Sequence, residues 1–524
     1  QSTLEGTLTF QHKFGELLDM NLMAGMGRYL DSGDGSDISY ENANDHIQGS
    51  SVGMADGPFY PTSYKYKNEK RSQFVRGSFD LFGRYVVSAS LRRDGTDKFF
   101  PSKKYALFPS VSLAWKMNEE SFIKNISWIN MLKLRASYGE TGSDNLGTTL
   151  YGIVTTARED VQFNNNSVTY IPYILSGANY EDVTWQKTVM KNIGLDFSIF
   201  RDRIWGSVDV FRNDVTHLLG TAPTELLGMH GTRPINGGHY KRTGVDVSLN
   251  SLNLQTHDFK WTSQITLSHY NAVWIERMPN YDYQKYQKRK NEPMNAFYYY
   301  KTTGIINVDK SNMPESQRSL GPAACMPGYP IVEDKNGDGI IDVNDSYMDN
   351  TLPKLYFGFG NTFTWKNFDL DIFMYGQLGV KKWNDAYGNS IDVGGLSRGV
   401  DAHNVGIYSY NIWNTQTNTN GRFPGIAISK SVALPENLGF DYTRENASYI
   451  RVRNITLGYN LGPKELSVFK GYIRGIRVFV DFQNPLTFTK YKGYDPEINT
   501  SSSNLTGGQY PQMRVYSIGA KLTF

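Results

Sequence analysis

Along much of this chain the side chains alternate apolar and polar with period two, a pattern suited to an extended strand whose two faces meet different surroundings. Leu107, Val111, Leu113, Trp115 and Met117 fall on one side, and Phe108, Ser110, Ser112, Ala114 and Lys116 on the other. The last residues repeat it, with Tyr516, Ile518, Ala520, Leu522 and Phe524 opposing Val515, Ser517, Gly519, Lys521 and Thr523. Ile193, Leu195, Phe197 and Ile199 likewise oppose Gly194, Asp196 and Ser198, as Ile476, Val478, Val480 and Phe482 oppose Arg477, Asp481 and Gln483. Such segments predict about 15 strands of roughly ten residues. They lie near 3–13, 18–28, 72–82, 85–93, 106–117, 131–140, 188–199, 203–213, 240–250, 258–269, 355–365, 368–378, 448–460, 472–483 and 513–524.

Soluble sandwiches alternate too, so the connections decide. Phe14–Leu17, Gly83–Arg84, Phe200–Asp202, Ser251–His257 and Lys366–Asn367 are brief. Between them lie the long stretches Leu30–Arg71, Thr141–Lys187, Asp214–His239, Tyr270–Lys354, Gly379–Ala447 and Asn484–Gln512; Asp94–Tyr105 and Asn118–Asn130 are intermediate. Short turns at one end and long extracellular loops at the other describe an all-β, transmembrane antiparallel β-barrel. Lipid leaves no unpaired backbone group tolerable, so such a sheet must close and turn its apolar side chains outward.

Composition fits this reading. Only 39% of residues are hydrophobic, yet 14% are aromatic and 50 are glycine; mean hydropathy is −0.47. That is the average of a lipid face, a lumen face and wet loops. No run of roughly 18 apolar residues exists for a membrane helix. Fifty-four basic against 51 acidic residues leave a formal charge of +3, too even for a nucleic-acid footprint. The single cysteine, Cys325, excludes an internal disulfide framework and a Cys-rich metal site, and it is read as incidental. Gln1 is not followed by a charged and then an apolar region, so no signal peptide is read there.

Direction follows from counting. With Phe524 on the periplasmic side, the fifteenth strand and the first both run downward, which places Gln1 near the extracellular surface. An odd number of strands starting from an outer loop does not close a bacterial barrel. Residues 1–524 are therefore expected to be the C-terminal portion of one larger barrel, interrupted at an extracellular loop; a miscounted first strand is the alternative.

The sharpest local motif is Asp334-Lys335-Asn336-Gly337-Asp338-Gly339-Ile340-Ile341-Asp342, closing with Asp345. Asp334, Asn336, Asp338, Asp342 and Asp345 stand at positions one, three, five, nine and twelve of a calcium loop, with glycine at six and Ile340 at seven, where a backbone carbonyl serves. Asp345 replaces the usual glutamate, and Pro330 argues against flanking helices. The readings are a Ca²⁺ loop without an EF-hand, or an Asx-rich turn that folds without metal. A second set of candidates is aromatic: Tyr281, Tyr283 and Tyr286, then Phe297, Tyr298, Tyr299 and Tyr300, and Trp383 with Tyr387. In outer loops these rings could stack on sugars or clamp a peptide, or pack the loops together or against a lid. Catalytic patterns are missing: there is no HExxH or GxSxG, the eight histidines are scattered, and Gly358-Phe359-Gly360 falls inside a strand. Glu119-Glu120 is read as part of a solvated turn, and the chain is not read as an enzyme.

Several fragments, in order, carry a resemblance. Leu91-Arg92-Arg93-Asp94-Gly95, Phe108-Pro109-Ser110, Leu113-Ala114-Trp115, Leu134-Arg135-Ala136-Ser137-Tyr138-Gly139, Thr141-Gly142, Trp185 and Asn192-Ile193-Gly194-Leu195-Asp196-Phe197 are followed by Tyr449-Ile450-Arg451, Leu457-Gly458-Tyr459, Gln483-Asn484 and Gly493-Tyr494-Asp495-Pro496-Glu497. Together they resemble the SusC/RagA-like TonB-dependent transporters of Bacteroidota outer membranes. The resemblance implies a barrel of roughly 22 strands around an N-terminal plug, energised through TonB-ExbB-ExbD and lidded by a SusD-like surface lipoprotein that captures glycans or peptides. A plug, a TonB box and roughly the first seven strands have no counterpart here, so an N-terminal plug-bearing part of the same barrel is an expected partner, alongside the lipid bilayer. The expected function is TonB-dependent nutrient import. A non-energised porin, an outer-membrane enzyme, and an adhesin or barrel scaffold with no transport role are the rivals.

Overall fold

The computed structural model describes residues 1–40, 59–146, 155–157, 163–165, 168–170, 173–175, 181–223, 232–279, 281, 283–384, 410–425, 434–442, 444–463, 465–469, 472–493, 495–498 and 511–524. Its frame is one 15-stranded antiparallel sheet in which each strand pairs with its neighbours in chain order. The strands are β1 (Ser2–Phe14), β2 (Leu18–Tyr40), β3 (Phe59–Leu81), β4 (Tyr85–Thr96), β5 (Tyr105–Lys116), β6 (Ile129–Ser143), β7 (Gln186–Ile199) and β8 (Ile204–Pro223). They continue as β9 (Thr232–Gln255), β10 (Phe259–Glu276), β11 (Leu355–Trp365), β12 (Phe368–Leu378), β13 (Tyr449–Leu461), β14 (Gly475–Thr489) and β15 (Val515–Thr523). Each sequence-predicted strand has its counterpart.

Two predicted loops are partly strand. β2 and β3 stay in register from Leu18 and Leu81 out to Tyr40 and Phe59, so the described residues at both ends of the stretch expected to loop from Leu30 to Arg71 are paired strand. β8 and β9 do the same out to Pro223 and Thr232. Backbone pairing continues there past the point where the apolar alternation stops.

The alternation sorts the side chains as expected. Leu113, Ala136, Ile193, Val210 and Val245 stand directly opposite one another across β5 to β9, forming a continuous apolar row on one face. Ile193 is 63% exposed and Val210 57%, values that water would penalise and lipid would not. The other face carries ion pairs: Arg135 with Asp196 and Asp209, Lys116 with Asp80, and Arg477 with Asp369.

Among the described residues β1 and β15 each pair on one side only. The sheet therefore has two free edges. Its packed clusters lie elsewhere, mostly among the long connections, which all emerge at one end.

At the short-turn end the acidic pair departs from its reading. Glu120 precedes a single helical turn, Ser121–Lys124, and is not simply solvated. Its carboxylate accepts from Tyr85 Oη (2.6 Å), Trp115 Nε1 (3.1 Å) and Arg84 Nη1 (3.2 Å). The bonds from Tyr85 and Trp115 hold it below the ordinary carboxylate range, and the turn is pinned to β4 and β5.

Candidate functional site

The connection between β10 and β11 folds into a module with its own interior. Ala296–Tyr300 pairs with Tyr347–Asn350 and, in parallel, with Gly439–Phe440 from the next long connection. Tyr300 is fully buried with Val332, Ile341 and Leu434, and its hydroxyl donates to the Asp342 carbonyl at 3.0 Å. Burial pushes that hydroxyl well above the ordinary tyrosine range. A second cluster joins Ile306, Ala324, Tyr329 and Ile331. Between the two clusters Gln317, also fully buried, donates to the carbonyls of Ala324 (3.0 Å) and Pro330 (3.1 Å) and accepts from Val332 N (3.0 Å). That saturated amide spaces the chain segments where apolar contact alone would not set a register.

The tyrosines foreseen as ligand contacts divide by position. Tyr299 is 6% exposed; it stacks on Tyr347 and donates to Asp349 Oδ2 at 3.1 Å. Burial, reinforced by the Asp349 charge, pushes its hydroxyl up to about 12. Tyr298 donates to the buried Glu292, which Arg277 also grips through Nε at 3.0 Å. Tyr286 packs on Tyr298 with centroids 4.7 Å apart. Tyr283 lies beneath Arg277 and Lys288 and bonds to the Met278 carbonyl. Tyr281 is 40% exposed, in contact with Tyr283. Trp383 pairs through its backbone with Arg444, while Tyr387 lies outside the described residues. Tyr299 and Tyr300 thus serve the interior of the module, and Tyr281 offers an accessible ring.

The acidic loop is held by its own backbone. Asp334 accepts from Gly337 N (2.7 Å) and Gly339 N (2.9 Å), and Asp338 from Ile340 N (2.9 Å). Asn336 exchanges bonds with Asp338. Asp345 is fully buried and accepts from Lys335 N and Asp342 N; Asp342 completes a capping box over residues 343–345. Arg289 secures the same turn from below, donating to the Ser346 carbonyl at 3.0 Å. Among the described residues no group of three or more His, Cys, Asp or Glu side chains converges as a metal centre. Cys325 donates weakly to carbonyls of its own turn.

Two further centres bear no catalytic signature. Phe99, Phe108, Leu146, Val183 and Trp185 form one cluster; a Cβ on Gly142 would come within 2.1 Å of the Phe108 ring. The second is ionic. Arg451, 2% exposed, donates to Asp495 Oδ1 (2.7 Å), Glu497 Oε2 (2.9 Å) and Thr487 Oγ1 (3.1 Å). Tyr375 and Lys382 hold the same segment, at Glu497 Oε2 and the Pro496 carbonyl. Burial lowers the Lys382 ammonium against the opposing pull of Glu497 and Asp495. These contacts bind the loops to the sheet, a task that no single motif announces.

Residues 1–484 match the family described as TonB dependent receptor-like, beta-barrel. This chain belongs to that family. TonB-dependent receptor P3 of Formosa agariphila is 28% identical over 519 residues, covering 93% of this chain and 48% of that protein. TonB-dependent receptor SusC of Bacteroides thetaiotaomicron is 27% identical over 487 residues, covering 88% and 44%. In fold, the chain matches the structure of the RagAB peptide transporter with a TM-score of 0.77 at 21% identity, covering 100% of this chain and 55% of that one. The TonB-dependent barrel family is one of outer-membrane receptors and transporters rather than enzymes. The chain spans about half the length of the curated relatives it matches.

Proposed function

We propose that these residues form most of the wall and the outer loops of a TonB-dependent importer for a nutrient, a glycan or a peptide. The observation that carries the reading is the pair of free edges. Fifteen antiparallel strands with an outward apolar face cannot rest in lipid while β1 and β15 lack partners among the described residues. About seven more strands would close a 22-stranded wall wide enough for a plug. An N-terminal plug-bearing part of the same barrel, on this chain's precursor or on a separate chain, is the natural source, and would also couple to TonB-ExbB-ExbD.

In this reading the short turns face the periplasm with Phe524, and the long connections and the start of β1 face outward. The packed module between β10 and β11 then offers a rigid surface for a SusD-like lipoprotein lid, with Tyr281 as an accessible ring. Calcium is part of the proposal. Asp334, Asn336 and Asp338 occupy the exposed side of their loop and have the oxygen chemistry that Ca²⁺ takes, whereas the buried Asp345 is committed to backbone amides. Isothermal titration with Ca²⁺ on wild type and D334N/D338N separates an ion site from a metal-free turn.

Import is tested by uptake of labelled oligosaccharides and peptides in cells with and without the plug-bearing part. Loss of uptake of at least one ligand is the expected result. Unchanged uptake of every candidate favours the scaffold alternative.

A further inference from the structure

The outward face of β1 to β5 is not uniformly apolar. Gly6 and Ala24 leave a groove between larger neighbours, and a Cβ on Gly6 would meet nothing within 4 Å. The groove, about 730 Å³, has Leu8, Met26, Val75, Leu91 and Leu107 along its sides, all exposed. Toward the long-loop end it continues into a space of about 690 Å³ beneath Arg28, Arg71 and Arg93.

These arginines share the outward face by strand parity. Arg28 stands directly opposite Arg71, an arrangement that repels unless an anion intervenes. Glu69 intervenes, at 2.9 Å from Arg28 Nε and 2.6 Å from Arg71 Nε. Both arginine side chains remain more than half exposed. Arg93 lies over the Tyr105 ring at 4.0 Å and reaches Gln73 Oε1 at 3.4 Å. Two guanidinium groups thus share one carboxylate, with a third lining the same space, at the head of an apolar groove. The pattern recurs on β5 to β9, where a space of about 520 Å³ has Val111, Leu113, Ile193 and Val210 along it, with Lys191 and Arg212 toward the long-loop end.

We propose that the β1–β5 groove binds a phosphorylated, multiply acylated glycolipid of the lipid A type from the outer leaflet. Its acyl chains lie along Leu8, Val75 and Leu91, and its phosphate sits among Arg28, Arg71 and Arg93. Hydrocarbon needs the apolar groove, and a phosphate suits guanidinium forks at the headgroup level. The proposal rests on the orientation given above, which impermeant labelling of the long connections in intact cells reads independently.

The test is lipid binding by the purified full-length protein in nanodiscs of neutral lipid, followed by native mass spectrometry. The probes are bisphosphorylated lipid A, the same lipid dephosphorylated, and inorganic phosphate. Wild type is expected to bind the phosphorylated form roughly tenfold more tightly than the dephosphorylated one. The triple variant R28Q/R71Q/R93Q should lose that preference, and R28K/R71K/R93K should keep most of it. Inorganic phosphate in millimolar excess should leave the lipid in place. Equal binding of the two lipids by wild type overturns the proposal, as does an unchanged preference in the glutamine variant or displacement by free phosphate. If the glutamine variant does not fold, the comparison of lipids on wild type still decides.

Discussion

Arg477 on β14 and Asp369 on β12 stand two strands apart and meet above Gly458 of β13, with Arg477 Nε 3.2 Å from Asp369 Oδ1. Asp369 is directly opposite Gly458, while Arg477 stands opposite Asn460, two residues along the same face, and reaches back across the glycine. A gap of about 9.5 Å between alternate strands is bridged because the middle residue has no side chain. Arg135, Gly194 and Asp209 make a similar bridge across β6, β7 and β8, there directly opposite one another. Both glycines sit on the face away from lipid, so the polar side of the wall is laced across three strands at a time.

Substituting those glycines should unlace it. A Cβ on Gly458 would fall 2.7 Å from Asp369 and 2.8 Å from Arg477 Nε, and one on Gly194 would fall 2.4 Å from Asp209 Oδ1. Gly458→Ala and Gly194→Ala are each expected to cost about 1–3 kcal/mol, read as a lower heat-modification temperature on gels. Gly139→Ala, whose Cβ has only ordinary contacts at 3.5 and 3.9 Å, should behave as wild type.

Arg451→Ala should free the last long connection. Asp495 would remain 6% exposed without its guanidinium, and breaking a buried pair from one side costs about 3–5 kcal/mol. Limited proteolysis is expected to cut between β14 and β15 in the variant and to spare wild type. Trp185→Ala should lose a similar amount, about 3–5 kcal/mol, and loosen the start of β7 against Phe99 and Phe108.

The module between β10 and β11 should respond to pH at both ends. Asp349 is pushed up by burial, but Lys381, then Tyr299 and Arg444, outweigh this and hold its carboxyl below the ordinary value. A depressed carboxylate stabilises above its unfolded value of about 3.9 and loses that contribution as pH falls through the folded one. Tyr299 has the opposite sign. Its hydroxyl stands at about 12 through burial and the nearby Asp349, so its contribution is complete below about 10 and is lost as pH rises toward the folded value. Absorbance at the tyrosinate band should show Tyr299 ionising late, and Tyr299→Phe should remove one late step.

The strands were legible because one face differs from the other. Residues 355–365 and 368–378 were bounded as they fold, since apolar residues recur at alternate positions from end to end of β11 and β12, with Asn361 and Gly376 the exceptions. The outer parts of β2 and β3 were not. There Tyr64 and Tyr66 are exposed among lysines; with both faces wet, polarity has no period while backbone pairing continues. The run from Phe297 to Tyr300 was visible as aromatic, but a tyrosine ring suits either an interior or a surface, and only tertiary packing buries Tyr300. Arg451 and Asp495 were legible as fragments of a resemblance, 44 residues apart, and not as a pair. The grouping of Arg28, Arg71 and Arg93 was not legible, because each is separated from the next by tens of residues.

The account rests on closure of the wall, and amide hydrogen exchange of the full-length protein in a bilayer tests it most directly. Half of the amides in β1 and in β15 point away from β2 and β14. If other strands complete the barrel, these amides should be as protected as those of β7 or β12. Rapid exchange along either edge, with the interior strands protected, would contradict it.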